Sequence, residues 1–321
     1  MFNYLIDRIA STPLRAAPFS HLYIADLFAP EHFASLVGSP EIAFGPCRDD
    51  GELFQTLGQA GFRAIDFPGC MTDSAAYRQW RARGGTEGID ASAIEGEFGM
   101  VFRLADPKTP ILAGLLDFLG SPAFLTAIAA RFDVDAELCS YDGGVQKYLD
   151  GYQISPHPDV RSKALTWMAN IVPDTACAER SYHTRYMRLR PEFAYVSTYW
   201  KGNSGIDRAH LPWDVAECEW MHRENNSLVA FAPGDDSIHA VQAWYDHLSA
   251  QRTQIYGNLW SRNPPGLRQA GWPSLSIQPE APATAAVRGW LASNAPSWLR
   301  DAVRARRKAP SHGAGLRYTG D

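Results

Sequence analysis

The chain has 321 residues, of which 45% are hydrophobic and 20% are charged. This composition is sufficient for a packed core and excludes a disordered or fibrous chain. The 30 Lys and Arg against 35 Asp and Glu give a net charge of −5, so no overall attraction draws the protein to nucleic acid or to an anionic membrane.

The sequence predicts a cytoplasmic protein with no membrane span. No run of apolar residues is long enough to cross a bilayer, and Asp7 and Arg8 interrupt the opening segment before it could act as a secretory signal. The cysteines are odd in number and far apart, with no Cys-x-x-Cys pair, so we expect reduced packing residues. They are Cys47, Cys70, Cys139, Cys177 and Cys218.

Residues 1–135 predict a strand and helices that pack on the rest of the protein. Residues 21–27 have the pattern of a short strand, and Pro30 opens a helical pattern. Between residues 110 and 132, apolar side chains recur at every third or fourth position. Gly120 ends the first of these helices, and Ser121 caps a second one.

After residue 136, short segments rich in Val, Ile, Thr, Tyr and Trp alternate with clusters of Gly, Pro, Asp and Asn, which is typical of β-strands. We predict strands at residues 145–149, 164–172, 193–200, 227–232, 237–244 and 252–260. Their spacing favours an antiparallel sandwich or barrel. Residues 264–321 predict a helical extension of the same single domain. Its basic tail either faces water or contacts an acidic partner, and charge runs usually face water.

His157 and Asp159 are the first candidate site residues. Side chains two residues apart on extended backbone point to the same side, so this imidazole and carboxylate could take adjacent positions around a metal ion. A His-x-Asp triplet alone is weak evidence. His222 and Glu224 form a rival pair in a charged, loop-like segment.

A second segment places His239 near the start of a strand, after a Pro-Gly-Asp-Asp turn. Two histidines and one carboxylate make the facial triad of a non-haem iron(II) site, which leaves three positions open. Each histidine could instead be a hydrogen-bonded core residue. Further along, Arg252 begins a strand with polar residues on one face. It could hold a carboxylate through two hydrogen bonds, or form a salt bridge at the rim of the barrel.

The order of these motifs resembles the iron(II)/2-oxoglutarate-dependent dioxygenases, in particular their prolyl-4-hydroxylase-like and phytanoyl-hydroxylase-like branches. The resemblance covers roughly residues 140–262. It rests on Tyr-x-x-Gly-x-x-Ile-x-x-His-x-Asp from Tyr148 to Asp159, then Lys163-Ala-Leu-Thr166, then Pro-Gly-x-x-Ser-x-His ending at His239, and finally Arg252.

The resemblance implies a mainly β fold with α additions, a double-stranded β-helix (jelly roll) in residues 136–263 with flanking helices. Because the two halves of the motif are far apart, loops would be inserted at about 174–192 and 201–225. The implied metal ligands for Fe(II) are His157, Asp159 and His239. Arg252 would bind the distal carboxylate of 2-oxoglutarate, with help from Tyr148 or Thr166, and O2 would be the second co-substrate.

The implied activity is hydroxylation of an unactivated C–H bond of a small molecule, such as an amino acid, a sugar-containing compound or a secondary metabolite, with succinate and CO2 as co-products. Asp159 favours hydroxylation over chlorination, because halogenating relatives have a small residue at that position. Two alternatives stay open, a non-catalytic jelly-roll binding protein and a hydroxylase of a protein side chain. Tyr148 could also be an ordinary strand tyrosine, and Thr166 an ordinary β-former.

Overall fold

The computed structural model describes residues 1–67, 70–84 and 99–268. Within these residues the chain forms seven α-helices and twelve strands. The helices are α1 (Tyr4–Ser11), α2 (Pro30–Val37), α3 (Asp50–Gln59), α4 (Ser74–Ala82), α5 (Pro110–Leu119), α6 (Pro122–Ala130) and α7 (Tyr195–Gly202). The strands are β1 (Leu14–Arg15), β2 (His21–Ile24), β3 (Phe62–Ala64), β4 (Val101–Leu104), β5 (Cys139–Tyr148), β6 (Gln153–His157), β7 (Lys163–Asn170), β8 (Arg185–Leu189), β9 (Ala216–Met221), β10 (Ser227–Phe231), β11 (His239–Gln242) and β12 (Arg252–Ser261).

The strands form two antiparallel sheets. The large sheet has the order β1-β2-β10-β7-β12-β5-β4-β3, and the small sheet has the order β6-β11-β8-β9. From β5 onwards the chain passes repeatedly between the two sheets. Strand β6 of the small sheet comes between β5 and β7 of the large sheet in sequence, and β11 of the small sheet comes between β10 and β12. This is the topology of a jelly roll, and the predicted fold class is confirmed.

The large sheet separates two different environments because its side chains alternate between its faces. One face packs against the helices through a continuous apolar core that includes Leu165, Trp167, Ala169, Ile255 and Leu259. The other face points into the barrel and carries buried polar side chains, among them Thr166, Asn170, Arg252, Gln254 and Asn258. Met168 and Tyr256 on this inner face pack with Tyr186 of the small sheet.

The helices predicted between residues 110 and 132 are confirmed as α5 and α6. Pro110 stands in the first turn of α5, whose buried side chains are Leu112, Leu115 and Leu119. The hydroxyl of Ser121 accepts a hydrogen bond from the backbone N–H of Phe124 and caps α6. Among the described residues no single helix meets the length and hydropathy that a membrane crossing requires, although α5 and α6 meet them jointly as a pair bent by 53°.

The strand predicted at residues 193–200 is wrong, since this segment forms a 3-10 turn (Pro191–Phe193) and helix α7. Phe193, Val196 and Trp200 are all buried. Their spacing of three and four residues has the period of a helix, and the aromatic and β-branched composition concealed it.

The two segments expected to be inserted loops each contain a strand. Strand β8 lies within residues 174–192 and β9 within residues 201–225; the two pair with each other, and β8 also pairs with β11. They therefore complete the small sheet. Strand β9 is an edge strand with Glu217, Cys218 and Glu219 exposed, so its sequence has little of the apolar alternation that marks a strand. The predicted C-terminal extension lies outside the described residues, apart from residues 264–268.

Candidate metal centre and anion site

Two strands of the small sheet bring the predicted metal ligands together. His157 is the last residue of β6, His239 is the first residue of β11, and the two are direct partners in the antiparallel register. Asp159 follows His157 in the turn toward β7. One potential ligand atom from each of the three side chains lies within 4.8 Å of the other two.

Backbone carbonyls hold both imidazoles in a defined orientation. Nδ1 of His157 is 2.8 Å from the carbonyl oxygen of Ser155, and Nδ1 of His239 is 3.0 Å from that of Ser237. If Nδ1 carries the proton and donates it, the Nε2 lone pair remains for a metal. Burial also lowers the pKa of both histidines, which favours the neutral form that binds metals.

Asp159 is buried, with both carboxylate oxygens in hydrogen bonds. The Lys163 ammonium donates to Oδ1 at 2.7 Å, and the Thr166 hydroxyl donates to Oδ2 at 2.6 Å. Burial by itself raises the pKa of Asp159, but the charge and the hydrogen bond of Lys163 outweigh it and hold this pKa well below its usual range. The carboxylate is therefore ionised at neutral pH and fixed in position.

A second layer of charged groups fixes the turn that carries Asp159. Arg208 donates to the backbone carbonyl of Asp159 at 2.9 Å and to the carboxylate of Asp235 at 2.8 Å. Arg161 also pairs with Asp235, at 3.2 Å, and donates to the carbonyl oxygen of Trp200 at the end of α7. These charged side chains are mostly buried, so the ligand turn is tied to the segment that follows α7.

That segment also brings a third imidazole to the centre. The backbone N–H of Leu211 donates to the carbonyl oxygen of Pro156, and the ring of His210 lies 4.6 Å from that of His157, centroid to centroid. Burial lowers the pKa of His210 to about 4, so its imidazole is neutral beside the ligands.

The three ligands fit an iron(II) ion. Two imidazole nitrogens and one carboxylate oxygen are suitable donors for non-haem iron, and three further positions would stay open. The rival pair of His222 and Glu224 does not form such a group. Among the described residues only His157, Asp159 and His239 converge in this way, whereas Nε2 of His222 is 2.7 Å from the hydroxyl of Ser227.

Arg252 is 2% exposed and lies inside the barrel. Its Nη2 donates to the hydroxyl of Thr184 at 2.9 Å, and the guanidinium lies 4.7 Å from the ring centroid of Tyr148. Nη1 is buried and has no hydrogen-bond partner within the described residues. Arg252 is also absent from every ion pair found in the described part of the chain, so a carboxylate from a ligand would satisfy it.

Three side chains on which the charge of Arg252 acts also have a buried polar atom without a partner in the described structure: Tyr182 (Oη), His183 (Nε2) and His222 (Nδ1). Burial and the charge of Arg252 lower the pKa of His183 to about 4 and that of His222 to about 3. Buried polar atoms in native proteins usually have partners, so a group of unpartnered atoms around one arginine indicates a place for an anion. We call Arg252, Thr184, Tyr182, His183 and His222 the anion cluster.

Tyr186 of β8 is a buried tyrosine on which charges from both the anion cluster and the metal ligands act. Burial raises the pKa of its phenol, and the charges of both Arg252 and Asp159 act on it. Its hydroxyl is buried and has no hydrogen-bond partner among the described residues. A buried hydroxyl without a partner, on which both charges act, is a candidate hydrogen-bond donor to an anion bound at Arg252.

The two predicted helpers of Arg252 differ in their positions. Tyr148 lies against the guanidinium, and its hydroxyl is hydrogen-bonded to the side chain of Gln146. Thr166 instead bonds to Asp159 and to Asn258, at 3.0 Å. It therefore supports a metal ligand, while Thr184 contacts Arg252. Thr166 lies on β7, which begins just after the turn that carries Asp159. Its hydroxyl is therefore close to that carboxylate.

Sequence reasoning did not identify the roles of Thr184, Lys163 and His210. Thr184 and His210 lie in segments interpreted as inserted loops. Lys163 belongs to the Lys-Ala-Leu-Thr segment, and its spacing of four residues from Asp159 is the sequence signal for its contact with that carboxylate.

No protein-family model matches the chain, and no curated protein matches it either. Among solved structures, a prolyl-4-hydroxylase from Pseudomonas putida is similar at 11% identity and a TM-score of 0.40, covering 81% of this chain and 99% of that one. A 2OG-Fe(II) oxygenase family oxidoreductase from Burkholderia pseudomallei is 12% identical with a TM-score of 0.28, covering 72% and 100%. EvdO2 from Micromonospora carbonacea var. aurantiaca, complexed with 2-oxoglutarate, is 13% identical with a TM-score of 0.28, covering 72% and 100%. At these scores and identities, no activity and no residue role is carried over from them to this chain.

Proposed function

We propose that this protein is an iron(II)- and 2-oxoglutarate-dependent oxygenase that hydroxylates an unactivated C–H bond of a small molecule. One observation carries the proposal. A triad of two imidazoles and one carboxylate lies where β6 meets β11, and a buried arginine with an unpartnered N–H begins β12 on the inner face of the large sheet. The first group fits iron and the second fits a carboxylate.

The roles of the residues follow from their positions. His157, Asp159 and His239 would hold the metal, which when bound supplies the activation of dioxygen. Arg252 and Thr184 would bind the distal carboxylate of 2-oxoglutarate, so that its 2-oxo acid end points to the open metal positions. The aromatic side chains between them keep water out of the barrel and strengthen these polar contacts.

Hydroxylation is favoured over chlorination because Asp159 supplies a carboxylate that halide would have to replace at the metal. A small-molecule substrate is favoured because the ligands lie inside a barrel mouth bordered by the ordered segment around His210. The competing function is a binding protein that holds an anion without turnover. It would account for the anion cluster but gives no reason for the three ligands.

The proposal is tested with purified protein under nitrogen. We expect one equivalent of Fe(II) per chain. After addition of O2, 2-oxoglutarate and ascorbate as the reductant, we expect slow release of succinate and CO2 even without substrate. Asp159→Ala should release neither. The binding-protein alternative predicts retention of 2-oxoglutarate with no metal requirement and no succinate. Folded protein that binds no iron and leaves 2-oxoglutarate intact across a substrate screen would refute the oxygenase.

A further inference from the structure

Lys163 is a largely buried cation in direct contact with a residue that we assign as a metal ligand. Its Nζ lies 2.7 Å from Oδ1 of Asp159 and 3.3 Å from the hydroxyl of Tyr256. The lysine side chain is 12% exposed and that of Asp159 is 6% exposed. The ammonium also lies 5.3 Å from the ring centroid of Trp260, so aromatic groups hold it in place.

This contact has opposite effects on the protein without and with a metal. Without a metal, a buried carboxylate needs a compensating charge, and Lys163 supplies it. With a divalent cation bound to Asp159, the ammonium is a like charge a few ångströms away in a poorly screened environment. It also withdraws electron density from the oxygen that it contacts, which makes the carboxylate a poorer donor.

We infer that Lys163 takes the place of the metal charge in the metal-free protein and thereby weakens the affinity of His157, Asp159 and His239 for a divalent cation. Lys163 is a positioning residue in this respect, because it acts through Asp159. The inference rests on the proposed function only in so far as these three side chains bind a metal.

The test is a calorimetric titration of the full chain with Co(II) alone. Lys163→Met removes the charge and keeps most of the apolar stem, and we expect it to bind Co(II) at least about tenfold more tightly than the wild type. Lys163→Arg retains the charge and should bind like the wild type. Thr166→Val removes the neutral hydrogen bond on the other oxygen of Asp159, and it should not tighten binding.

A purely structural role for Lys163 predicts the opposite sign, since loss of a structural ion pair loosens the site. Equal or weaker Co(II) binding by folded Lys163→Met therefore overturns the inference. If this variant is unfolded without metal, its recovery of the wild-type circular dichroism spectrum at Co(II) concentrations below the wild-type Kd supports the inference, and failure to recover there overturns it. Wild-type protein that binds no Co(II) would instead refute the proposed metal site itself.

Discussion

The two ends of the barrel interior differ in how far the protein satisfies its own polar groups. At the metal end, both Nδ1 atoms and both carboxylate oxygens of the ligands have hydrogen-bond partners. At the anion cluster, Arg252 Nη1, Tyr182 Oη, His183 Nε2 and His222 Nδ1 have none among the described residues. The chain itself supplies partners for the ligand atoms at the metal end, whereas the anion cluster keeps unpartnered buried atoms among the described residues.

This difference has an energetic consequence. A buried polar atom without a partner costs about 1–3 kcal/mol, so we expect these atoms to lower the stability of the ligand-free protein. An anion bound there would supply hydrogen bonds to them, including charge-assisted ones. We therefore expect substitutions at the metal end to act on metal affinity, and substitutions in the anion cluster to act on 2-oxoglutarate affinity and on stability.

The largest expected effect is the loss of a metal ligand. His239→Ala removes one of three protein donors. Loss of a residue that contacts a metal ligand typically weakens metal binding by roughly 10- to 100-fold. Loss of the ligand itself should weaken Co(II) binding by more than that. His222→Ala is the matched control, because it removes a buried histidine of the rival pair. Titration calorimetry checks both. Weaker metal binding by His222→Ala, with His239→Ala unaffected, would reverse the assignment.

The next effect concerns Arg252. In Arg252→Ala the distal carboxylate loses its charged hydrogen-bond donor, so 2-oxoglutarate affinity should fall by roughly 10- to 150-fold. Co(II) affinity should change little. Arg188→Ala is the control, since Arg188 pairs with Glu219 at the surface and its side chain is 64% exposed. Titrating each metal-loaded variant with 2-oxoglutarate measures the effect, and equal loss of metal and 2-oxoglutarate binding by Arg252→Ala would contradict the separation of the two ends.

The sequence was sufficient to predict the jelly roll and that His157, Asp159 and His239 come together, for a physical reason. His157, His239 and Arg252 each lie at the end of a strand, where local pattern and register determine which residues meet. Thr184 could not be found in this way, because β8 and β9 are recognisable only once they pair. The helix at 195–202 was missed because aromatic and β-branched residues dominate its composition, and the burial of Phe193, Val196 and Trp200 is a tertiary effect.

The pH dependence of stability offers a third test, centred on His222. Burial and Arg252 lower its pKa to about 3 in the folded protein, whereas an unfolded histidine titrates near 6.5. The unfolded state therefore binds more protons between these values, and stability is lost as the pH falls below about 6.5. Between pH 7 and pH 5 the wild type should lose about 2 kcal/mol more than His222→Gln.

Urea unfolding at the two pH values checks this prediction. Parallel loss of stability in the wild type and in His222→Gln would show that His222 is not held neutral by its surroundings. Addition of 2-oxoglutarate should reduce the difference, because an anion in the cluster compensates the charge of Arg252 and favours protonated histidine.

The smallest expected effect separates a structural hydroxyl from a ligand-binding one. Tyr186→Phe removes a buried hydroxyl that has no partner within the described residues, so it should leave Tm unchanged or raise it slightly. It should also weaken 2-oxoglutarate binding by roughly fivefold, in line with one neutral hydrogen bond of about 1 kcal/mol. Tyr245→Phe is the control, because the Tyr245 hydroxyl bonds to the backbone of Tyr148 and Arg252. This control variant should lower Tm.

If Tyr186→Phe lowers Tm as much as the control does and leaves 2-oxoglutarate affinity intact, the Tyr186 hydroxyl belongs to the packing of the barrel. In that case it does not donate to an anion bound at Arg252.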